Sequence, residues 1–419
     1  MRARAVISSV YGTVKAPASK SAMQRYVAGS LLAEGVSEIN SSSLCDDSIA
    51  AIRIAEALGA EITVKGEVVR IRGGFNPSAK EIFCGESGLS ARMFTPIAAL
   101  HNHEIILNGK GSILKRPLDM VEDPLRKLGV KVVSRNGFLP LSLTGPLRGG
   151  EVTADGSVSS QFITGLLMAL PVVPGDSRII VKNLVSRPYI DLTISILKEF
   201  GIVIGNEDYR IFSVRGGQKF RAGKFNAEGD WSGATFLLVM GAIGGSIEVK
   251  GLLAGSTQAD KAVLDAISAA GAEVNVVDDS VQIRGRELRG FEFNITDCPD
   301  LAPPLTVLAM ACRGRSVLEG AERLAAKESD RGKALEETMR SIGGKVKNFG
   351  SRIEIQGGDR LTGGSADSHN DHRIAMALAV SALICDSPVI IDGIESINKS
   401  YPGFIHDFNS TGGKIEIIK

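Results

Sequence analysis

Lysine, arginine and small hydroxyl-bearing residues gather in short stretches along this sequence: Lys20-Ser21 with Arg25, Gly88 with Arg92, Arg116, Ser159-Ser160-Gln161, Ser186-Arg187, Lys327-Glu328 with Arg331, His369 through Arg373, and Lys399. Asp300 is an acid in the same series. Side chains of these types serve anions. An arginine grips a planar carboxylate or phosphate through two parallel hydrogen bonds, a lysine adds a point charge, and serine hydroxyls or bare glycine backbone complete a cradle. The set predicts a site for small molecules that carry phosphate and carboxylate groups.

What must position these residues is a repeat. A helical pattern ends at a glycine and is followed by two short strand-like runs, and this recurs at Gly59, Gly129, Gly201, Gly271, Gly343 and Gly412, a period of about 70 residues. In the second copy Leu118, Val121, Leu125 and Leu128 fall at helical spacing before Gly129 supplies the positive φ that ends a helix. In the first, Glu61 to Val64 and Val68 to Arg72 flank a turn at Gly66. A second, more apolar helix is expected nearer the start of each unit, beginning near Ser19, Glu86, Ser157, Asp230, Pro299 and Asn370. Ser, Asp and Asn cap free N–H groups there, and apolar runs such as Phe236 to Ile243 imply burial. The cationic stretches fall at helix starts in different units. Helix N-termini favour anions, so first-turn cations cost stability unless a negative group compensates.

Six such units form an α/β series of βαβαββ type, too large for one core, and two domains of three units each are the natural grouping. Equivalent positions in repeats share one end of a domain, so two domains facing each other with those ends would enclose a ligand.

The bulk properties narrow the class. In 419 residues, 48 Lys and Arg face 47 Asp and Glu, and the net charge of +1 provides no field for nucleic acid or an anionic membrane surface. A content of 44% hydrophobic residues supports a fully folded chain. Five scattered cysteines without a CxxC pair read as buried thiols in a reducing cytoplasm. The apolar stretch after Arg2 and Arg4 is too short for a signal-peptide core, and Ile374 to Cys385 falls short of the roughly 18 residues a bilayer span needs. Neither GxxxxGK[ST] nor GxGxxG nor GxSxG occurs, which argues against P-loop, dinucleotide and serine-hydrolase chemistry. His369, Asp371 and His372 lack further partners for a metal, and His101 and His103 read as alternating surface residues of a strand.

Taken in order, Lys20-Ser21 with Arg25, Gly88 with Arg92, Lys115-Arg116-Pro117, Gly156 through Gln161, Ser186 with Pro188 to Asp191, Asp300, Lys327-Glu328 with Asp330-Arg331, Asn370 through Arg373, and Lys399 resemble the motifs of the enolpyruvyl transferase family, and within it the EPSP synthases, along the whole chain. The resemblance implies transfer of the enolpyruvyl group of phosphoenolpyruvate to the 5-hydroxyl of shikimate 3-phosphate, a late step towards chorismate and the aromatic amino acids. It implies pseudo-threefold domains with discontinuous boundaries: residues 1–13 plus 230–419 on the phosphoenolpyruvate side, and 14–229 inserted on the shikimate 3-phosphate side, with the active site in the cleft between them.

By the same resemblance, Arg331 and Arg373 hold the carboxylate of phosphoenolpyruvate, and Lys20, Gly88, Arg116, Gln161 and Lys399 hold its phosphate. Ser159, Ser160, Gln161, Ser186 and Lys327 take the phosphate side of shikimate 3-phosphate, with Lys20, Ser21, Arg25 and Asp300 around its ring and carboxylate. Asp300 is the expected base, and Glu328 or Lys20 the expected acid. No metal or organic cofactor is expected, since the Arg and Lys cage supplies charge stabilisation, and the protein is expected to be a cytoplasmic monomer acting on small molecules.

Two positions depart from the usual bacterial pattern. Glu86-Ser87-Gly88-Leu89 stands where Asn-Ala-Gly-Thr is common, and Arg323 where Asn is frequent. A sister enzyme that uses a UDP-amino sugar carries a cysteine on the loop that is here Gly111 to Arg116, which has none. A repeat scaffold that encircles nucleic acid would need excess cations and stacking aromatics, against the +1 charge and 5% aromatic content.

Overall fold

The structure, a computed structural model, describes residues 1–418. Among them the helices are α1 (Lys20–Leu32), α2 (Asp46–Ala57), α3 (Gly88–Ala98), α4 (Glu122–Lys127), α5 (Gln161–Ala169), α6 (Arg187–Glu199), α7 (Trp231–Gly244), α8 (Val263–Ala270), α9 (Ala302–Ala311), α10 (Arg331–Ser341), α11 (His372–Ser381) and α12 (Phe404–Ser410). The even-numbered helices precede the six repeat glycines, all of which adopt φ between 79° and 110°. That left-handed geometry frees the chain to turn into a strand hairpin, where a side chain would be strained.

The described strands form six four-stranded sheets of one topology. In one of them Glu81–Phe83 runs parallel to Glu104–Asn108, which pairs antiparallel with Phe138–Thr144, and this in turn with Lys131–Arg135. The fold is thus α/β, and in four of the six sheets the parallel pair is bridged by an odd-numbered helix, α3, α5, α9 or α11. Two sheets borrow strands from distant sequence. Lys224–Asn226 provides the parallel edge beside Val36–Asn40, and Thr13–Lys15 does the same beside Ser246–Lys250. In a third, Arg2–Ile7 lies between Val389–Asp392 and Gly413–Ile418.

The chain divides into two compact units, Met1–Ser19 with Glu228–Lys419, and Lys20–Ala227. Each is built around its odd-numbered helices, which are apolar on nearly every face. Trp231, Phe236 to Met240, and Ile374 to Val380 are buried in one unit, and Phe94, Phe162 and Leu166 to Leu170 in the other. Full burial of such a side chain contributes about 1.5–3 kcal/mol. Between α3 and α5 the approach is close because Gly165 has no side chain: a Cβ there would lie 2.6 Å from the Met93 carbonyl oxygen. That contact sets the spacing of Arg92 and Gln161 at the starts of these helices. All five cysteines are buried free thiols, and burial pushes each of them up. His101 and His103 lie in the exposed turn before the strand Glu104–Asn108, with ring centroids 4.8 Å apart, rather than on the strand itself. The alternation signal failed because the strand begins one residue later.

Candidate active site

In the Lys20–Ala227 unit the starts of α1, α3 and α5 are joined by side chains. Gln24 of α1 is wholly buried, and its Oε1 accepts from the hydroxyls of Ser87 (3.1 Å) and Ser90 (2.8 Å). Ser87 also caps α3 by accepting from the Ser90 N–H. Arg92, one turn into α3, donates to Gln161 Oε1 (3.0 Å) at the first position of α5 and to the Pro117 carbonyl (2.9 Å). One guanidinium thereby orients two groups: Gln161, and the backbone just after Arg116. Arg116 is itself buried and lies over Gly88, where a Cβ would come within 2.7 Å of its Nη1. The glycine admits the guanidinium to the helix start, so a strong cation and free backbone N–H groups occupy the same place.

Lys20 opens α1 and pairs with Asp47 at 3.2 Å, both largely shielded from water. Arg25 is spent inside the unit. It donates to the Ser21 carbonyl (2.7 Å), Thr193 Oγ1 (2.9 Å) and the Tyr189 carbonyl (3.2 Å), and burial lowers it to about 10. Ser159 Oγ accepts from the Gln161 N–H at 3.2 Å and so caps α5, while Ser160 makes no side-chain cap there. Ser186 stands before α6 in the left-handed region, φ 56°, and is buried.

In the other unit a carboxylate takes the central place. Asp300 receives Lys327 Nζ (3.1 Å) and Arg331 Nη1 (2.8 Å) on Oδ1, and Arg373 Nη2 (3.1 Å) on Oδ2. Three cations so placed stabilise its ionised form. Arg331, the first residue of α10, is wholly buried and also meets Glu328 and Asp371. Burial alone would lower its pKa, but Asp371, Glu328 and Asp300 more than reverse that, and it stays charged. Asp371 is the hub: it caps α11 through the Arg373 N–H (3.0 Å), takes Arg331 Nε (2.9 Å) and Nη2 (3.2 Å), and holds the Ser329 hydroxyl (3.1 Å). Just before it, His369 and Asn370 are both left-handed, and Lys399 Nζ grips the Asn370 carbonyl at 2.8 Å. Arg373 Nη1 is buried with no hydrogen-bond partner.

Lys327 sits beside two other cations. Burial pushes its ammonium down to about 8, with Arg331 and Arg323 adding to the effect and Asp300 opposing it. Asp260 is wholly buried against Ser232, and burial, with Asp300 and Asp230 nearby, pushes its carboxyl up to about 7. Arg323 donates to the Thr296 carbonyl at 2.9 Å.

The sequence-predicted residues therefore form two groups, one around Gly88, Arg116 and Gln161, the other around Asp300, Arg331 and Arg373. Sequence reasoning missed the acids that hold the cations, Asp47 and Asp371 as a hub, and the buried Asp260 beside Ser232. A signal existed for Asp371, since an Asp placed two residues before Arg373 is a helix-cap candidate. Among the described residues no group of three or more His, Cys, Asp or Glu is arranged to hold a metal, and no helix is long and apolar enough to cross a membrane.

Comparison with known proteins agrees along the chain. The family model described as EPSP synthase (3-phosphoshikimate 1-carboxyvinyltransferase) matches residues 5–408. A 3-phosphoshikimate 1-carboxyvinyltransferase of Clostridium novyi (strain NT) is 38% identical, with 98% of this chain and 97% of that protein covered. Its namesake in Clostridioides difficile (strain 630) is 36% identical over the same shares of the two chains. The solved structure of EPSP synthase from Acinetobacter baumannii superposes with a TM-score of 0.86 at 24% identity, covering 100% of both chains, and so shares the fold. With the match spanning both units and the carboxylate-centred cation cluster as well as the Gly88 helix start, this chain belongs to the EPSP synthase family.

Proposed function

We propose that this protein transfers the enolpyruvyl group of phosphoenolpyruvate to the 5-hydroxyl of shikimate 3-phosphate, releasing phosphate. The observation that carries the reading is the convergence of Lys327, Arg331 and Arg373 on the Asp300 carboxylate. A base so placed is ionised and lies among cations that suit an anionic substrate pair.

In this reading Arg331 and Arg373 take the carboxylate of phosphoenolpyruvate, and the partnerless Arg373 Nη1 supports it because it offers a donor already fixed in direction. Arg116, the Gly88 N–H, Gln161, Lys20 and Lys399 take its phosphate. Lys327, Ser159, Ser160 and Ser186 take the phosphate of shikimate 3-phosphate. Ser21 meets its ring, with Arg25 holding the Ser21 carbonyl. The 5-hydroxyl oxygen attacks C2 of phosphoenolpyruvate as Asp300 accepts its proton, while C3 gains a proton from Glu328 or Lys20. Loss of phosphate with its C–O bond, and of a C3 proton, restores the double bond in the product. Fixed Arg and Lys dipoles stabilise the charge that builds up, with no reorganisation at the moment of reaction. The proposal includes a cytoplasmic, monomeric enzyme.

The direct test supplies purified protein with phosphoenolpyruvate and either shikimate 3-phosphate or UDP-N-acetylglucosamine. Phosphate release with the first alone supports the reading. Release only with the sugar nucleotide refutes it.

A further inference from the structure

The segment that carries Arg116 is fastened to the start of α3 by a ladder that runs past the ends of two paired strands. Glu81–Phe83 and Glu104–Asn108 are parallel neighbours. Beyond them the Cys84 N–H donates to the Asn108 carbonyl (2.9 Å) and the Lys110 N–H to the Gly85 carbonyl (2.8 Å). The next rung is a side chain. Glu86 Oε2 accepts both the backbone N–H and the hydroxyl of Ser112, each at 3.0 Å. Gly111 leaves room for it, since a Cβ there would lie 2.5 Å from the Glu86 carboxylate. Ser112 belongs to the 3-10 turn Gly111–Lys115, and Arg116 follows directly, its N–H bonded to the Ile113 carbonyl. The last contact is Arg116 itself laid over Gly88, two residues on from Glu86.

We infer that Glu86 is a positioning residue that docks the Gly111–Lys115 turn onto the start of α3 and so holds Arg116 over Gly88, where it serves the phosphate of phosphoenolpyruvate. The inference rests on the role proposed for Arg116. Two donors on one carboxylate oxygen make a directional tether, stronger than bonds between neutral groups. Remote placement of a charged ligand group matters because small displacements lower the effective concentration of the group it aims.

Steady-state kinetics on E86A, E86Q, S112A, R116A and the double variant E86A/R116A test it. E86A is expected to raise the KM for phosphoenolpyruvate about tenfold or more, with kcat within about threefold and the KM for shikimate 3-phosphate unchanged. E86Q keeps an oxygen that accepts both bonds and restores the KM to within about threefold. S112A, which keeps the backbone rung, falls between. In the R116A background, E86A adds less than about twofold, because the two residues act in series. A normal KM in E86A, an E86Q as impaired as E86A, or multiplicative effects in the double variant overturn the inference. Hydrogen exchange at the Ser112 amide separates two failures. Faster exchange in E86A beside an unimpaired R116A refutes the role given to Arg116, whereas unchanged exchange refutes the tether.

Discussion

Asp371 binds the guanidinium of Arg331 through both carboxylate oxygens, at 2.9 Å and 3.2 Å, and neither side chain is exposed to water. The pair fixes the start of α10 to the start of α11, and with it the spacing between Arg331 and Arg373.

Removing one member of such a pair strands a buried charge. Asp371→Ala is expected to cost about 3–5 kcal/mol in denaturant unfolding and to raise the KM for phosphoenolpyruvate more than that for shikimate 3-phosphate. An unfolding midpoint equal to that of the parent would show that the pair is not what holds the two helix starts.

The depressed ammonium of Lys327 gives a signed pH dependence. Held at about 8 in the free protein, it loses its proton as pH rises above that value. A phosphate ligand restores the charged form, so binding of shikimate 3-phosphate takes up a proton at pH 8.5 and weakens by up to about tenfold per further pH unit. Calorimetry in buffers of different ionisation enthalpy measures the uptake. Lys327→Arg, always charged, should flatten both effects.

At Gly88 an added methyl group would lie 2.7 Å from Arg116 Nη1, so the guanidinium must swing away. Gly88→Ala is expected to raise the KM for phosphoenolpyruvate about tenfold, leaving the melting temperature within a few degrees of the parent. Equal loss of both substrates would place the glycine's role elsewhere.

Asp260 acts on stability in the opposite sense to a surface carboxylate. Its folded-state pKa of about 7 lies above that of an unfolded aspartate, so the folded protein binds the extra proton between roughly pH 4 and 7 and loses stability across that window as pH rises. Asp260→Asn, which stays neutral, should melt higher than the parent at pH 8 and close to it at pH 4. Melting curves at the two pH values decide, and a difference of the reverse sign would mean that the Asp260 charge is compensated by Arg373.

The repeat was legible because one helix of each unit is followed by a glycine that local geometry demands, as at Gly129 and Gly271. The cationic helix starts were legible because residue type alone sets them against the helix dipole. Their partners were not. Arg331 reads as a cation awaiting a ligand until the fold brings Asp371 to it from another repeat, and Lys20 meets Asp47 through helix packing that no local pattern encodes. Arg25 shows the same limit: its position in a motif says nothing of the Thr193 and Tyr189 groups that engage it. Glu86, visible in the sequence only as a departure from the usual loop, acquires a partner in Ser112.

The strand Arg2–Ile7 lies between two strands formed from the last thirty or so residues described, with Arg2 opposite both Asp392 and Ile418. During synthesis its place in the sheet cannot exist until residues 389–418 have left the ribosome, whereas Lys20–Ala227 contains every strand of its own three sheets. Domains emerging from the ribosome generally fold as units. Translation thus imposes an order: the inserted half can close before the half that joins Arg2–Ile7 to residues 389–418.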